Sequence, residues 1–176
     1  MIKSVLMLAA VATAGASIGF AQPSPKAETT ATIAGKTLTI KYSAPSVRGR
    51  KIFGEGGLIS HEKNFPVWRA GANSATAFQT DADLDIQGLH VPAGSYTLYV
   101  NLADPEQWEL IVNKQTGQWG LTYKKEMDLG RVKMEMSKPA APVETYKMTL
   151  SGTGGNTGKL QLEWEKHVAS VTFTVK

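Results

Sequence analysis

The chain has 176 residues and no cysteine. That absence excludes disulfides, a thiolate nucleophile, cysteine-held zinc or iron–sulfur centres, and lipid attachment through an N-terminal cysteine. Histidine is scarce as well: His61, His90 and His167 lie in unrelated contexts, as ordinary surface histidines would. Past residue 21 there is no Gly-x-Ser-x-Gly elbow, so nucleophilic catalysis has no motif behind it. No stretch sustains a helical apolar stripe, and no internal repeat or domain linker interrupts the chain.

Long apolar runs are also missing, apart from Val5 to Ile18. That run is shorter than the roughly 20 residues a membrane helix needs. Lys3 precedes it and Gly19-Phe20-Ala21 follows, a charged start and a small-residue cleavage site. Residues 1–21 are therefore expected to be a signal peptide removed after Ala21. This implies an exported protein in the periplasm or outside the cell, with no membrane span in the mature chain. The remaining 155 residues fit one domain, able to bury roughly 70% of its unfolded surface without disulfides. Residues 22–28 are expected to be flexible and 29–176 to form the domain.

Past that point period-2 alternation dominates. In Lys36 to Ser43, Leu38, Ile40 and Tyr42 share one face while Thr37, Thr39 and Lys41 share the other. A second strand, 29–33, precedes it across an Ala34-Gly35 turn, a hairpin pattern. Further strands are expected at 75–80, 84–87, 95–102, 108–113, 131–137, 145–151, 160–166 and 170–175, with helical turns at most near 60–64 or 124–129. This spacing implies an all-β, single-domain antiparallel β-sandwich or jelly-roll-like fold, with one long irregular loop segment at about 44–74.

Several pieces that superficially suggest chemistry have plainer readings. Asp81, Asp83 and Asp85 alternate as a solvated face would, without the glycine and terminal glutamate of a calcium loop. Met134, Met136 and Met148 read as core filler rather than copper ligands. The glycine-rich stretch 152–158 joins two strands and lacks the lysine-Ser/Thr step of a phosphate loop. No metal and no cofactor is expected.

The segment from Tyr42 to Asn73 is different. Its five basic side chains (Arg48, Arg50, Lys51, Lys63, Arg69) outnumber its two acidic ones (Glu55, Glu62) by three. The rest of the chain past residue 21 is balanced, so the excess charge sits in this segment. That is too little for a nucleic-acid footprint. Guanidinium groups hold carboxylates or phosphates in a fork, and they hold backbone carbonyls equally well. Arg48, Arg50 and Arg69 are thus candidate binding residues, with Trp68 and Trp119 to stack and Asn73 and Asn113 to orient a ligand. The other reading is that these arginines hold the loop and Trp68 plugs the core.

The motifs Tyr42-Ser-x-Pro45, Arg48-Gly-Arg-Lys-Ile-Phe-Gly54, Trp68-Arg-x-Gly-Ala-Asn73 with Ala75-Thr76, Pro92-Ala-Gly-x-Tyr-x-Leu98, Trp108 to Asn113 and Trp119-Gly120 occur in order. On them the chain resembles the bacterial "domain of unknown function 2911" family. The approach Gly57 to Pro66 departs from that pattern, where members often carry a shorter Pro-Tyr-Gly-like stretch. The resemblance implies an exported, all-β, single-domain bacterial protein and no particular reaction. The expected role is non-catalytic: binding a small anionic or saccharide ligand, or a cell-envelope partner. The alternatives are an envelope hydrolase or lyase, and a purely structural domain.

Overall fold

A computed structural model describes residues 23–176, so the expected signal peptide lies outside the described residues. The strands, in chain order, are β1 (Lys26–Ile33), β2 (Lys36–Ser43), β3 (Val67–Trp68), β4 (Thr76–Thr80), β5 (Leu84–Ile86), β6 (Leu89–Val91) and β7 (Gly94–Asn101). They continue with β8 (Glu109–Asn113), β9 (Asp128–Lys133), β10 (Glu135–Ser137), β11 (Val143–Gly154), β12 (Thr157–Glu165) and β13 (His167–Val175). All pairings are antiparallel. One sheet runs β1-β2-β4-β7-β8-β9, with β3 paired to β7 beyond the end of β4; the other runs β11-β12-β13-β5-β6, with β10 on β13. The two sheets form a β-sandwich, as the alternation implied.

Tight turns set the hairpins. Ala34 and Gly35 both take positive φ, 51° and 73°, the conformation that matches a two-residue turn to the twist of its strands. Strand β12 alternates cleanly, placing Gly158, Leu160, Leu162 and Trp164 inward. Strand β7 is buried along most of its length, because both of its faces are covered. Tyr96, Leu98 and Val100 join the main core. On the other face Tyr99 joins Val67 and Ile111 in a second apolar cluster beneath Tyr123. Residues 114–127 supply that second cover.

Two expectations need correction. Residues 26–28 are not frayed: β1 starts at Lys26, which pairs with Ser43. The expected strand 131–137 is two strands. β9 pairs with β8 in the first sheet and β10 with β13 in the second, and the buried Met134 marks the crossing. The alternating pattern runs through the crossing unbroken, so periodicity alone did not show it. The helical turns occur as short 3-10 segments at Leu58–His61 and Lys125–Met127. Asp83 and Asp85 accept backbone hydrogen bonds from Ala93 and Gly88, which stabilises turns.

The two sheets are tied by a polar bond inside the core. The Tyr42 hydroxyl accepts the Met148 backbone N–H at 3.0 Å, and its ring meets Tyr146 edge-on at 5.5 Å. Removing the hydroxyl strands a buried donor, which costs about 1–3 kcal/mol. Tyr42→Phe should therefore lower the free energy of unfolding in urea by that amount. An unchanged transition midpoint would show that the bond contributes nothing.

Candidate functional site

The long segment after β2 is a loop that enters the core. Ile52, Phe53, Ile59, Trp68 and Ala70 are all buried. Phe53 contacts the rings of Trp68, Trp108 and Trp164 at 4.9–5.7 Å between centroids. Trp68 has no exposed surface; it stacks on Trp164 at 5.8 Å and donates its ring N–H to the Gly71 carbonyl. It presents no face to solvent, which is the core-plug arrangement.

Arg50 and Arg69 do not share a partner. Arg48 has an exposed side chain and takes φ 49°, while its backbone N–H donates to Glu144 Oε1 at 2.8 Å. Arg50 turns back on its own loop, donating to the carbonyls of Val47 and Ser46 at 3.0 and 2.6 Å. Arg69 is partly buried and donates from Nη2 to Glu62 Oε1 at 2.8 Å. Burial raises the Glu62 carboxyl above its usual range, and Arg69 offsets this only in part. The 2.8 Å contact is nonetheless that of an ion pair, and the raised value reflects the desolvation such a pair carries. Glu62 Oε2 and Arg69 Nε are buried with no partner, so the pair is joined by one bond rather than by the two-pronged fork.

Around Arg69 two distant motifs meet. Its guanidinium carbon lies 6.0 Å from the Trp119 ring centroid, and Trp119 is 54% exposed. Ser74 bridges Trp119 as a paired residue, and Gly120 N–H donates to the Asn73 carbonyl at 3.0 Å. Asn73 has φ 60°, a left-handed conformation that asparagine tolerates better than most residues. A Cβ on Gly120 would sit 2.4 Å from Arg69 Cδ and 2.7 Å from the Asn73 carbonyl, so only glycine fits beneath the arginine. Thr76 Oγ1 lies 2.8 Å from the Ala70 carbonyl and closes the turn from the other side.

The same matching motifs thus recur as contacts across the fold. Tyr96 donates its hydroxyl to the Pro92 carbonyl, fixing the corner before β7. The chain belongs to the DUF2911 family. The matching family, described as a protein of unknown function, spans residues 24–173. No curated protein and no solved structure matches.

In this DUF2911 chain Asn113 is buried and fully engaged. Its amide donates to Lys124 O and Asp128 Oδ1, both at 2.9 Å, and its oxygen accepts the Gln115 backbone N–H. Asp128 Oδ2 accepts from the Tyr123 hydroxyl at 2.7 Å and from Arg131 at 3.0 Å. Desolvation, then the Asp128 carboxylate, push the Tyr123 hydroxyl up to about 12. This network anchors the 114–127 cover to the sheet.

Of the candidates, Arg69, Asn73 and Trp119 come together; Arg50, Trp68 and Asn113 are engaged in contacts that hold the loop, the core and the 114–127 cover, and Arg48 is exposed. A groove of about 520 Å³ has walls that include Glu28, Lys41, Ser43, Gln118 and Ser74, the last paired with Trp119. The β1 and β2 members of that set were missed, because in sequence they are ordinary outward positions of a hairpin. Only the fold sets them beside the loop carrying Trp119.

Arg69→Ala leaves Glu62 uncompensated, and a broken buried pair typically costs about 3–5 kcal/mol. Partial exposure places the expected loss near the lower end, with Gly120→Ala losing about 1–3 kcal/mol by overpacking. Arg50→Ala, confined to exposed backbone contacts, should cost about 1 kcal/mol or less. Chemical denaturation of the three variants checks this order, and an Arg69→Ala loss no larger than that of Arg50→Ala would overturn it.

Tyr123 also makes stability depend on alkaline pH. Its folded value lies above the unfolded value of 10, so its neutral form favours folding. That contribution is complete below pH 10 and is lost as pH rises toward about 12. A Tyr123→Phe variant should show a shallower fall in stability over that window, measured by denaturant titration at stepped pH. A slope identical to the parent's would contradict the assignment.

Proposed function

We propose that the protein is an exported, non-catalytic binding module that holds a saccharide against Trp119. The observation that carries this reading is the exposed Trp119 ring set over the Arg69 guanidinium, with its bridge partner Ser74 and its chain neighbour Gln118 lining a groove that also carries Glu28 and Lys41. A flat ring accepts the C–H face of a sugar, while flanking hydroxyl, amide and charged groups take up its hydroxyls. Arg69 supports the ring from behind, and Gly120 and Asn73 hold the loop that carries it.

The geometry favours a saccharide over a small anion. Arg50 is spent on the carbonyls of its own loop, and Arg69 is engaged by Glu62. It favours binding over cleavage as well. Glycoside hydrolysis generally uses two carboxylates flanking the scissile bond, and Glu28 is the one carboxylate among the groove residues. Export rests on the apolar N-terminal run and the small residues at 19–21.

The test is calorimetric titration and thermal shift with neutral oligosaccharides, uronic-acid oligomers and peptidoglycan fragments, using secreted protein whose N-terminus should be Gln22. Ligand at one hundred times its dissociation constant stabilises the fold by about 2.7 kcal/mol. Trp119→Ala should stay folded, since the side chain is over half exposed, and should bind at least tenfold more weakly. A panel with no binder, or a Trp119→Ala variant that binds undiminished, would sink the proposal.

A further inference from the structure

A second cavity of about 520 Å³, sharing no lining residue with the groove, lies between the loop after Phe53, the turn joining β7 to β8, and the start of β13. Its apolar wall includes Phe53, Ile59, Phe65, Leu102 and Trp108. The volume falls in the range of small-ligand pockets, which are mostly apolar with a few placed polar groups. Three polar side chains reach it: Glu55, Ser60 and His167. Ser60 is already used, donating to the Gly57 carbonyl at 2.6 Å. Neither lysine nor arginine lines the cavity.

His167 is held by rings on two sides. It stacks on Trp108 at 5.2 Å with 17° between planes, and meets Phe53 edge-on at 4.8 Å. Its Nδ1 is buried and has no hydrogen-bond partner; the nearest carboxylate, Glu165 Oε2, is 3.9 Å away, beyond hydrogen-bond reach. Burial pushes the imidazole below its usual value, Glu165 and Glu106 oppose that shift, and Lys138 adds to it. The ring is therefore neutral at pH 7.5, with one N–H and one lone pair. With the proton on the buried Nδ1, the lone pair is on Nε2 of a residue that lines the cavity.

We infer that this cavity is a separate ligand site for a small, uncharged ring compound bearing a hydroxyl, with His167 Nε2 accepting a hydrogen bond from the hydroxyl and Phe53, Phe65 and Trp108 enclosing the ring. Carboxylated rings are disfavoured, because no cation meets them and Glu55 lines the same cavity. The site does not depend on the saccharide reading and stands or falls without it.

Phenol, toluene and benzoate are the probes, titrated into the full mature protein at pH 7.5 with binding read by ligand-observed NMR. Phenol should bind at least tenfold tighter than toluene, and benzoate should bind more weakly than either. His167→Phe should reduce phenol to the affinity of toluene while leaving toluene unchanged. Phe65→Ala, at a position 46% exposed and so tolerated by the fold, should weaken both. Lowering the pH through the imidazole titration should remove the phenol advantage in the unaltered protein, a readout that needs no variant. Glu55, Glu106, Glu165 and Lys138 surround that imidazole, and toluene binding serves as the control for their effects. Equal affinities for phenol and toluene, or a ratio that survives both His167→Phe and acidification, would overturn the role of His167. Failure of all three probes to bind would overturn the cavity as a ligand site and leave saccharide binding at Trp119 unaffected.

Discussion

The packing of Phe53 and Trp68 between the two sheets is the constraint on which the rest depends. A loop of this length is a liability unless its ends are fixed, since ordering each backbone residue costs roughly 1–2 kcal/mol. Here the loop offsets that cost by placing its own apolar side chains among Trp108, Tyr146 and Trp164. Once Trp68 is seated, Arg69 must emerge beside it, Gly71 must pass close to the Ser43 carbonyl, and Asn73 must turn the chain into β4. The position of Trp119 follows, because Gly120, the one residue type that fits beneath Arg69, is bonded to the Asn73 carbonyl.

This order explains what was legible in the sequence. Hairpins such as Lys36 to Ser43 with its partner declare themselves, because alternating burial is a local property and the Ala34-Gly35 turn names its own conformation. The crossing at Met134 is not local: one alternating run serves two sheets, and only the partners on either side reveal it. The family motifs were visible as residues but not as contacts. Trp68-Arg-x-Gly-Ala-Asn73 and Trp119-Gly120 are about fifty positions apart in the chain, yet they share Arg69, Asn73 and Gly120 in space.

The arginines show where residue type runs out as a guide. Arg48, Arg50 and Arg69 carry the same chemistry, yet one is exposed beside Glu144, one folds onto its own loop and one is paired inside. Nothing in the neighbouring letters separates these fates. Similarly, His167 reads as a surface histidine at the end of a hairpin, and its burial depends on Trp108 and Phe53 arriving from two other parts of the chain.

One contact of the long loop bears on the exposed edge of the second sheet. Strand β11 lies at the edge of its sheet, and a free edge offers unpaired backbone groups to any passing strand. Residues 45–47 occupy part of it: Val47 N–H donates to the Glu144 carbonyl, and Tyr146 N–H donates to that of Pro45. Register shifts at Val143/Lys147 and Gly152/Gly154 disrupt β11 pairing near both ends. The loop that builds the candidate site is therefore also a guard against edge-to-edge pairing, a constraint on residues 45–47 that requires no ligand.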